Sequence, residues 1–261
     1  MLHTYFIADN ITAFSTTRAG GVSCGTYASF NANHYCGDNP VHVAQNRRML
    51  CEELGILEKH LIVPHQTHHT RIQNITQEFL ELPDSERQQL LEDTDAVVTA
   101  LPKVCVCVST ADCIPVFLYD RQNKVVAAIH AGWRGTCARI VEHTLDYLIE
   151  AFGTRPCDVK AVIGPGIGQD AFEVGDEVYR AFEKEGFSMD EIARLYPARE
   201  VPFKWHIDLW KCNQMQLLDK GVISQDIQIA GICTYSQSDK FFSARRLGIR
   251  SGRILNGIMM K

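Results

Sequence analysis

The sequence predicts an α+β fold, a layered α/β sandwich, because short apolar strands alternate with helices whose ends are recognisable. Six runs rich in branched residues have the length of buried strands. They lie at 11–14, 104–108, 114–119, 125–130, 159–163 and 227–233. Two of these runs are close enough to form a hairpin, which argues against a doubly wound parallel sheet. No repeat or low-complexity linker interrupts the chain, so we expect a single domain over residues 1–261.

Three helices are predicted from the residues at their ends, where a polar N-cap or a proline precedes the first turn and a glycine follows the last. The predicted helices are 40–54, a segment from beyond Gly135 to Phe152, and 208–220, followed by Gly55, Gly153 and Gly221. In the second, apolar residues at 141, 145, 148 and 152 recur at helical spacing and predict one buried face. The most polar stretch, 78–95, is interpreted as a surface excursion.

Charge and hydropathy exclude several classes of function. The chain has a net charge of −5, and its lysines and arginines are scattered, so no basic stripe predicts a nucleic-acid partner. No run approaches the ~20 apolar residues of a membrane helix, and no basic segment precedes an apolar one at the N-terminus. We therefore expect a cytoplasmic protein without a membrane partner. Ten cysteines without a C-x-x-C pair predict mostly reduced, buried thiols.

Three segments carry more polar and metal-capable residues than a strand end or a turn needs. They are PHQTHH at 64–69, STADC at 109–113 and HAGWRG at 130–135. Taken alone, the histidines of the first segment are typical of a solvated loop, and Cys113 is typical of a buried, inert thiol. His130 is more informative, because it ends an apolar run and leads into a glycine-rich turn.

Hairpin geometry would bring two of these residues together. If Asp120 pairs with Val125, His130 lies opposite Pro115, and Cys113 becomes its diagonal neighbour on the same face, ~7 to 8 Å away between backbones. A thiolate and an imidazole at that separation can share one ion at ~2.0 to 2.3 Å. A turn one residue longer or shorter would place the two side chains on opposite faces.

Two kinds of chemistry suit such a pair. A set of three nitrogen and sulfur ligands would suit zinc and would leave a fourth position for water or substrate. A nucleophilic dyad of Cys113 and His130 without a metal fits the same positions, and the sequence leaves both alternatives open.

In order and spacing, the three segments together resemble the YfiH family, also called the laccase-domain or polyphenol-oxidase-like family. The resemblance extends over nearly the whole chain and includes FSTTRAGGVS at 14–23, DAVVT at 95–99, IGPGIG at 163–168, DLW at 208–210 and FFSARR at 241–246. It implies zinc binding by His68, Cys113 and His130, and selects His68 over His65 and His69. It also implies a sandwich fold related to bacterial toxins with a Cys-His deamidase site.

The resemblance further implies a zinc-dependent enzyme that phosphorolyses adenosine, inosine, guanosine or methylthioadenosine and deaminates adenosine. Its partners would be a small-molecule purine nucleoside and phosphate. For deamination, an activated water attacks C6 of adenine, and Asp112 beside Cys113 is the candidate to move protons, with a turn-forming role as the alternative. For phosphorolysis, Arg18, Arg134 and Arg245 fit as phosphate ligands by motif position, and Arg134 opens a predicted helix.

Two other functions remain as alternatives. A copper-dependent polyphenol oxidase would need several copper centres, yet the ten histidines include no repeated H-x-H pairs. A metal-stabilised binding module without turnover would need an exposed apolar patch. The chain also departs from the family pattern at His69, where many members have glycine, and at Tyr35-Cys36, which replaces a more usual His-Val pair.

Overall fold

Two mixed sheets packed face to face form the centre of the computed structural model, which describes residues 1–197 and 203–261. The strands are β1 (Leu2–Tyr5), β2 (Ile11–Thr16), β3 (Leu61–Ile62), β4 (Ile72–Asn74), β5 (Ala96–Thr99), β6 (Cys105–Thr110), β7 (Ile114–Asp120), β8 (Val125–Ala131), β9 (Val159–Ile163), β10 (Glu173–Val174), β11 (Ala193–Pro197), β12 (Phe203–Ile207), β13 (Ile227–Ile229) and β14 (Ile254–Met260). One sheet has the order β1-β2-β14-β6-β3 and the other β13-β9-β7-β8-β5-β4. A smaller sheet, β10-β12-β11, lies apart from them in the topology.

Helices pack against both large sheets. They are α1 (Pro40–Leu54), α2 (Gln77–Glu81), α3 (Asp84–Leu91), α4 (Trp133–Cys137), α5 (Ile140–Phe152), α6 (Asp176–Lys184), α7 (Met189–Ile192), α8 (Leu209–Asp219) and α9 (Ala244–Leu247). Buried residues of α5 and α8 pack on the six-stranded sheet, and Leu50 and Cys51 of α1 pack on the five-stranded one. A third apolar cluster fills the space between the sheets. The α+β sandwich predicted from the sequence is thereby confirmed.

Each of the six predicted strands is present, with changes at the ends. Strand β2 continues to Thr16, β6 begins at Cys105, and β13 ends at Ile229 instead of continuing to 233. The shortening of β13 has a local cause, because Gly231 takes a positive φ of 64° and turns the chain away from the sheet.

The β7–β8 hairpin has the predicted register. Asp120 pairs with Val125, and Pro115 pairs with His130. The Asp120 carboxylate accepts hydrogen bonds from the backbone N–H groups of Gln122 and Asn123 at 2.8 and 3.1 Å, which fixes the turn length. Cys113 therefore lies just before β7, diagonal to the end of β8.

Helix ends follow the predicted residues for α1 and α8. The Asn39 side chain accepts from Val41 N at 2.9 Å, Gly55 takes a left-handed conformation after Leu54, and Asp208 accepts from Lys211 N. The helix predicted beyond Gly135 is α5, which begins at Ile140 and ends at Phe152. The short helix α4 precedes it and is separate, because Arg139 between the two has a positive φ of 59°.

The interpretation of 78–95 as a surface excursion is also wrong in part. This segment contains α3 and most of α2, and Phe79, Leu80 and Leu91 are buried in the cluster between the sheets. The apolar residues were too widely spaced among charges to stand out in the sequence. Asp95, at the end of the segment, is completely buried.

Cys105 and Cys107 point to the outer face of β6, because alternate residues of a strand face opposite sides. They pack with Phe14 and Leu50, their sulfurs are 3.5 Å apart, and burial together with the neighbouring thiol raises the pKa of Cys105 well above its usual value. Both thiols are structural groups in the apolar layer under α1.

Replacing both residues with alanine should lower the free energy of unfolding by about 1 kcal/mol per thiol, and it should leave metal content and turnover near those of the wild type. Denaturant unfolding, metal analysis and a nucleoside assay on the double variant test this. Loss of bound metal from a folded double variant would show that the ligand thiol is not Cys113.

Candidate active site

The chemically active residues meet at one end of the sandwich, where several connections approach each other. The loop after β3, the turn between β6 and β7 and the end of β8 supply His68, Cys113 and His130, the three residues predicted as metal ligands. One ligand atom from each lies within 4.8 Å of the others. Among residues 1–197 and 203–261, this is the one group of three or more His, Cys, Asp or Glu side chains that could hold a metal ion.

The distances fit a single ion of the zinc type. Cys113 Sγ and His68 Nε2 are 3.8 Å apart, close to the roughly 3.5 Å expected between sulfur and nitrogen on a tetrahedral zinc. The rings of His68 and His130 meet edge to face, with centroids 4.8 Å apart, so both can direct a nitrogen toward the thiol. The three side chains lie on one side of the metal position, and the opposite side faces a cavity.

Asp95 organises two of these ligands from a buried position at the start of β5. Its Oδ1 accepts a hydrogen bond from His130 Nδ1 at 2.7 Å, which leaves Nε2 of that imidazole for the metal. Its carboxylate also accepts from the backbone N–H groups of Thr67, His68 and His69, at 3.2, 3.1 and 2.9 Å. One carboxylate thus orients one ligand and holds the loop that carries another.

This role of Asp95 was not predicted from the sequence. The residue stands within the DAVVT motif, but it also closes a polar stretch, where a charged residue is usually solvated. A charged residue placed directly before a strand of four apolar or small residues is the signal that could have revealed it.

Backbone conformation and a side-chain amide complete the loop. His68 has a positive φ of 68°. The hydrogen bonds from the backbone N–H groups of residues 67–69 to the Asp95 carboxylate stabilise this conformation. Gln66 accepts from Ser109 N at 2.7 Å and donates to Ser109 O at 2.9 Å, joining the loop to the end of β6. The loop is therefore anchored on both sides of His68.

Neighbouring charges and hydrogen bonds shift the pKa values of Cys113 and His130. Burial raises the pKa of the Cys113 thiol, but the imidazoles of His130 and His68 outweigh it and lower that pKa to about 6. Burial lowers the pKa of His130, whereas Cys113 and Asp95 together raise it to about 9. Without a metal, the site therefore favours a thiolate beside an imidazolium, and the thiolate is the form that binds metal.

Two neighbouring histidines have other partners. His65 Nδ1 is 2.6 Å from Glu92, and His69 Nδ1 is 2.7 Å from Asp93. Both pairs lie toward solvent, and neither histidine belongs to the ligand group. The imidazole that stands at 69 in this chain is thus directed away from the metal position.

Gly132 lies directly beneath the ligands. A Cβ atom at this position would come within 2.9 Å of His68 Cδ2 and 3.0 Å of Cys113 Sγ. Its φ of −66° is one that any residue adopts, so the requirement for glycine is one of space and not of backbone freedom.

The ligands open onto a cavity of about 680 Å³. Apolar side chains of Trp133, Ile167 and Phe172 line it together with polar Asn33 and Asp112. A volume in this range fits a ligand of nucleoside size.

The predicted arginines differ in their relation to this cavity. Arg245 lines it, and so does Arg253, which sequence analysis did not select. Arg18 is used structurally: it donates to the carbonyls of Ala28 and Ser238 and does not line the cavity. Arg134 is exposed, stacks over the Trp133 ring at 4.3 Å, and does not line it either.

Asp112 is buried beside Cys113 with a positive φ of 90°. Its Oδ1 accepts from Thr234 Oγ1 and its Oδ2 from the backbone N–H of Arg245, both at 2.7 Å. Asp112 thus connects the ligand-bearing turn to the segment that carries Arg245, and these two hydrogen bonds do not use all the acceptor capacity of its carboxylate.

Residues 12–261 match the family model described as multi-copper polyphenol oxidoreductase laccase. The chain belongs to this family. A relative from Bacteroides thetaiotaomicron, named purine nucleoside phosphorylase, is 49% identical over 96% of this chain and 92% of its own length. A protein from an unknown prokaryotic organism, named adenosine deaminase RL5, is 40% identical over 97% of this chain and 95% of its own.

Solved structures of the same family have the same fold. The structure of YlmD from Geobacillus stearothermophilus has a TM-score of 0.86 at 30% identity and covers 97% of this chain and 93% of its own. That of a hypothetical protein YfiH from Bacillus licheniformis has a TM-score of 0.87 at 28% identity, with coverage of 96% and 93%. The resemblance to YfiH proteins seen in the sequence is confirmed.

Asp95→Asn should weaken metal affinity about 10- to 100-fold. The amide has a single, uncharged oxygen to accept from His130 and the three backbone N–H groups, which now share two carboxylate oxygens. Competition with a chromogenic chelator measures this. Asp93→Asn is the matched control, since Asp93 is exposed and pairs with His69 outside the ligand group. Equal metal affinity in a folded Asp95→Asn variant would contradict the role assigned to Asp95.

Gly132→Ala should reduce metal occupancy at least tenfold while the fold remains intact, since the added methyl group displaces the Cys113 sulfur. Gly135→Ala is the control, because the nearest atom outside its own helix that its Cβ would meet is His69 O, at 3.4 Å. Metal analysis and thermal unfolding of both variants decide the matter. Full occupancy in Gly132→Ala would mean that the ligands can shift without losing the ion.

Proposed function

We propose that this chain is a zinc-dependent purine nucleoside enzyme that phosphorolyses adenosine, inosine, guanosine or methylthioadenosine and deaminates adenosine. The observation that carries the proposal is the group of His68, Cys113 and His130, which is open on one side to a cavity of nucleoside size. The relatives named purine nucleoside phosphorylase and adenosine deaminase support the same pair of reactions.

Zinc is proposed as the metal because the ligand set has two imidazoles and one thiolate, a combination typical of catalytic zinc sites with an open position. The family description refers to several coppers. A multi-copper oxidase would need further ligand groups, and the part of the chain that the structure describes, 1–197 and 203–261, contains just this one. A mononuclear hydrolytic or phosphorolytic site therefore suits the residues better.

The cavity offers two surfaces for a nucleoside. Trp133, Ile167 and Phe172 provide apolar and aromatic surface on which a purine base can stack, and Asn33 provides an amide for hydrogen bonding. A zinc ion at the three ligands would supply activation of a water as a nucleophile. The base would then lie with its C6 toward the ligands for deamination.

Asp112 is the proposed proton carrier for deamination. It lines the cavity next to Cys113, and its two present hydrogen bonds fix the carboxylate without using all of its lone pairs. A carboxylate held in this way can accept a proton from the attacking water and donate it to the leaving ammonia.

Arg245 is the proposed phosphate ligand for phosphorolysis. Its guanidinium lies over the Phe172 ring and donates to the carbonyl of Glu173 at 3.2 Å, a partner that a phosphate dianion would replace favourably. Arg253, also in the cavity lining, can contribute a second positive charge. Arg18 and Arg134, predicted for this role from motif position, lack access to the cavity in the present arrangement.

Within residues 1–197 and 203–261, no helix has the length and apolar character that crossing a membrane requires. We propose a cytoplasmic location, in keeping with the ten cysteines of the sequence, all of which are free in the structure.

Purified protein should contain about one zinc and little copper per chain. Incubated with adenosine, it should release inosine without phosphate, and adenine with ribose 1-phosphate when phosphate is present. Metal analysis and chromatographic identification of products test both statements. Several coppers per chain, or no change in the nucleoside under either condition, would contradict the proposal.

Arg245→Gln should reduce phosphorolysis roughly tenfold or more and reduce deamination less, because only phosphorolysis requires the dianion. Arg134→Gln is the matched control and should leave both rates near those of the wild type. The two rates are measured on zinc-replete variants with the same nucleoside. Equal loss of both reactions in Arg245→Gln would assign that residue to general support of the cavity.

A further inference from the structure

A second cavity of about 250 Å³ lies beside the first, between α1, β3 and α3. Its charged lining residues are Arg47, Glu58, Lys59, Asp84 and Arg87. Tyr35 lines both cavities, and its ring stacks on His65 with centroids 4.3 Å apart. The two cavities are thus separated by a stacked aromatic pair.

Arg47 is a half-buried cation that no carboxylate pairs with among residues 1–197 and 203–261. It projects from α1, and its hydrogen bond to Leu61 O is long, at 3.4 Å. No carboxylate within the described residues, 1–197 and 203–261, lies within 4 Å of it, and burial lowers its pKa. A guanidinium has five N–H donors, so Arg47 retains donors that a bound anion could accept from.

The carboxylates near Arg47 are engaged by other cations. Glu58 lies 3.7 Å from Arg48, and Asp84 forms an ion pair with Arg87. Arg87 in turn has a buried Nε with no hydrogen-bond partner in the described residues. Two arginines on the same cavity therefore have donors without acceptors.

The charge of the cavity is positive on balance. Three cationic side chains line it against two carboxylates. His34 also lines it, but burial and the charge of Arg47 lower the pKa of that imidazole to about 4, so it is neutral near pH 7. Among residues 1–197 and 203–261, the lining cations without an ion pair are Arg47 and Lys59.

We propose that this second cavity binds a small oxyanion, inorganic phosphate or the phosphate group of a monoester, with Arg47 as its main ligand and Arg87 as a second donor. Its volume is below the roughly 300 Å³ at which pockets for drug-sized ligands begin, so a nucleoside is too large for it. The site does not depend on nucleoside turnover, and it lies one stacked pair away from the catalytic cavity.

Calorimetric titration of the purified wild-type chain with inorganic phosphate, without nucleoside and at constant ionic strength, tests the proposal. A phosphate-binding event should be present that Arg47→Gln weakens about tenfold or more. Arg48→Gln is the matched control, since Arg48 is the adjacent arginine and its side chain is 62% exposed, and it should leave the event unchanged. Arg245→Gln, which tests the catalytic anion site, should leave it unchanged as well.

Titration with glycerol phosphate distinguishes the two sources of the anion. If glycerol phosphate binds the wild-type chain and this binding is lost in Arg47→Gln, the site also takes monoesters. If glycerol phosphate does not bind the wild-type chain, the site takes free phosphate alone. Wild-type phosphate binding that is identical in Arg47→Gln, or that disappears entirely in Arg245→Gln, would overturn the proposal.

A second measurement applies if Arg47→Gln does not fold. Crystals of the wild-type chain soaked in tungstate should show an anomalous peak within hydrogen-bonding distance of the Arg47 guanidinium. A peak confined to the catalytic cavity, or no peak in the second cavity, would contradict the assignment.

Discussion

The hydrogen bonds of the Asp95 carboxylate are the interaction on which the candidate site depends. They orient the His130 ring from the hairpin and hold the backbone of the loop that presents His68. Asp95 can do both because it is the residue before β5, and β5 pairs with β8 through Ala96 and Ile129. The backbone carbonyl of Asp95 also accepts from His130 N at 2.7 Å, so the main chain and the side chain fix the same ligand. A carboxylate that is completely buried can remain ionised here because each oxygen accepts hydrogen bonds.

The rest of the site follows from the central sheets. The β7–β8 register places Cys113 diagonal to His130, and Gly132 leaves room for the sulfur between the imidazoles. Cys113 directly precedes β7 and His130 lies in β8, and both strands are fully buried. The backbones of these two residues therefore have little freedom to separate. The candidate substrate contacts are instead supplied by loops, which carry Asn33, Ile167 and Phe172, and by the short helices α4 and α9.

The sequence predicted the parts of the molecule that depend on local rules, including the strands, the helix caps and the hairpin register. The ligands His68, Cys113 and His130 were selected through the family resemblance, and the structure brings them together. The contacts of the arginine side chains were less predictable. Arg18, Arg134 and Arg245 were all selected by motif position. In the structure, Arg18 donates to the carbonyl of Ser238, which is distant in sequence, and Arg134 stacks on the Trp133 ring. The isolated cation Arg47 could not be recognised either, because its lack of a partner is a property of the tertiary structure alone.

X-ray absorption at the zinc edge of the purified protein tests whether His68, Cys113 and His130 bind the metal, because it counts ligands by element and distance. We expect one sulfur at about 2.3 Å and two imidazole nitrogens at about 2.0 to 2.1 Å, with one lighter ligand in the open position. Replacing Cys113 with serine should remove the sulfur contribution. A spectrum without sulfur, or one unchanged in the Cys113→Ser variant, would contradict the assignment of His68, Cys113 and His130 as the metal ligands.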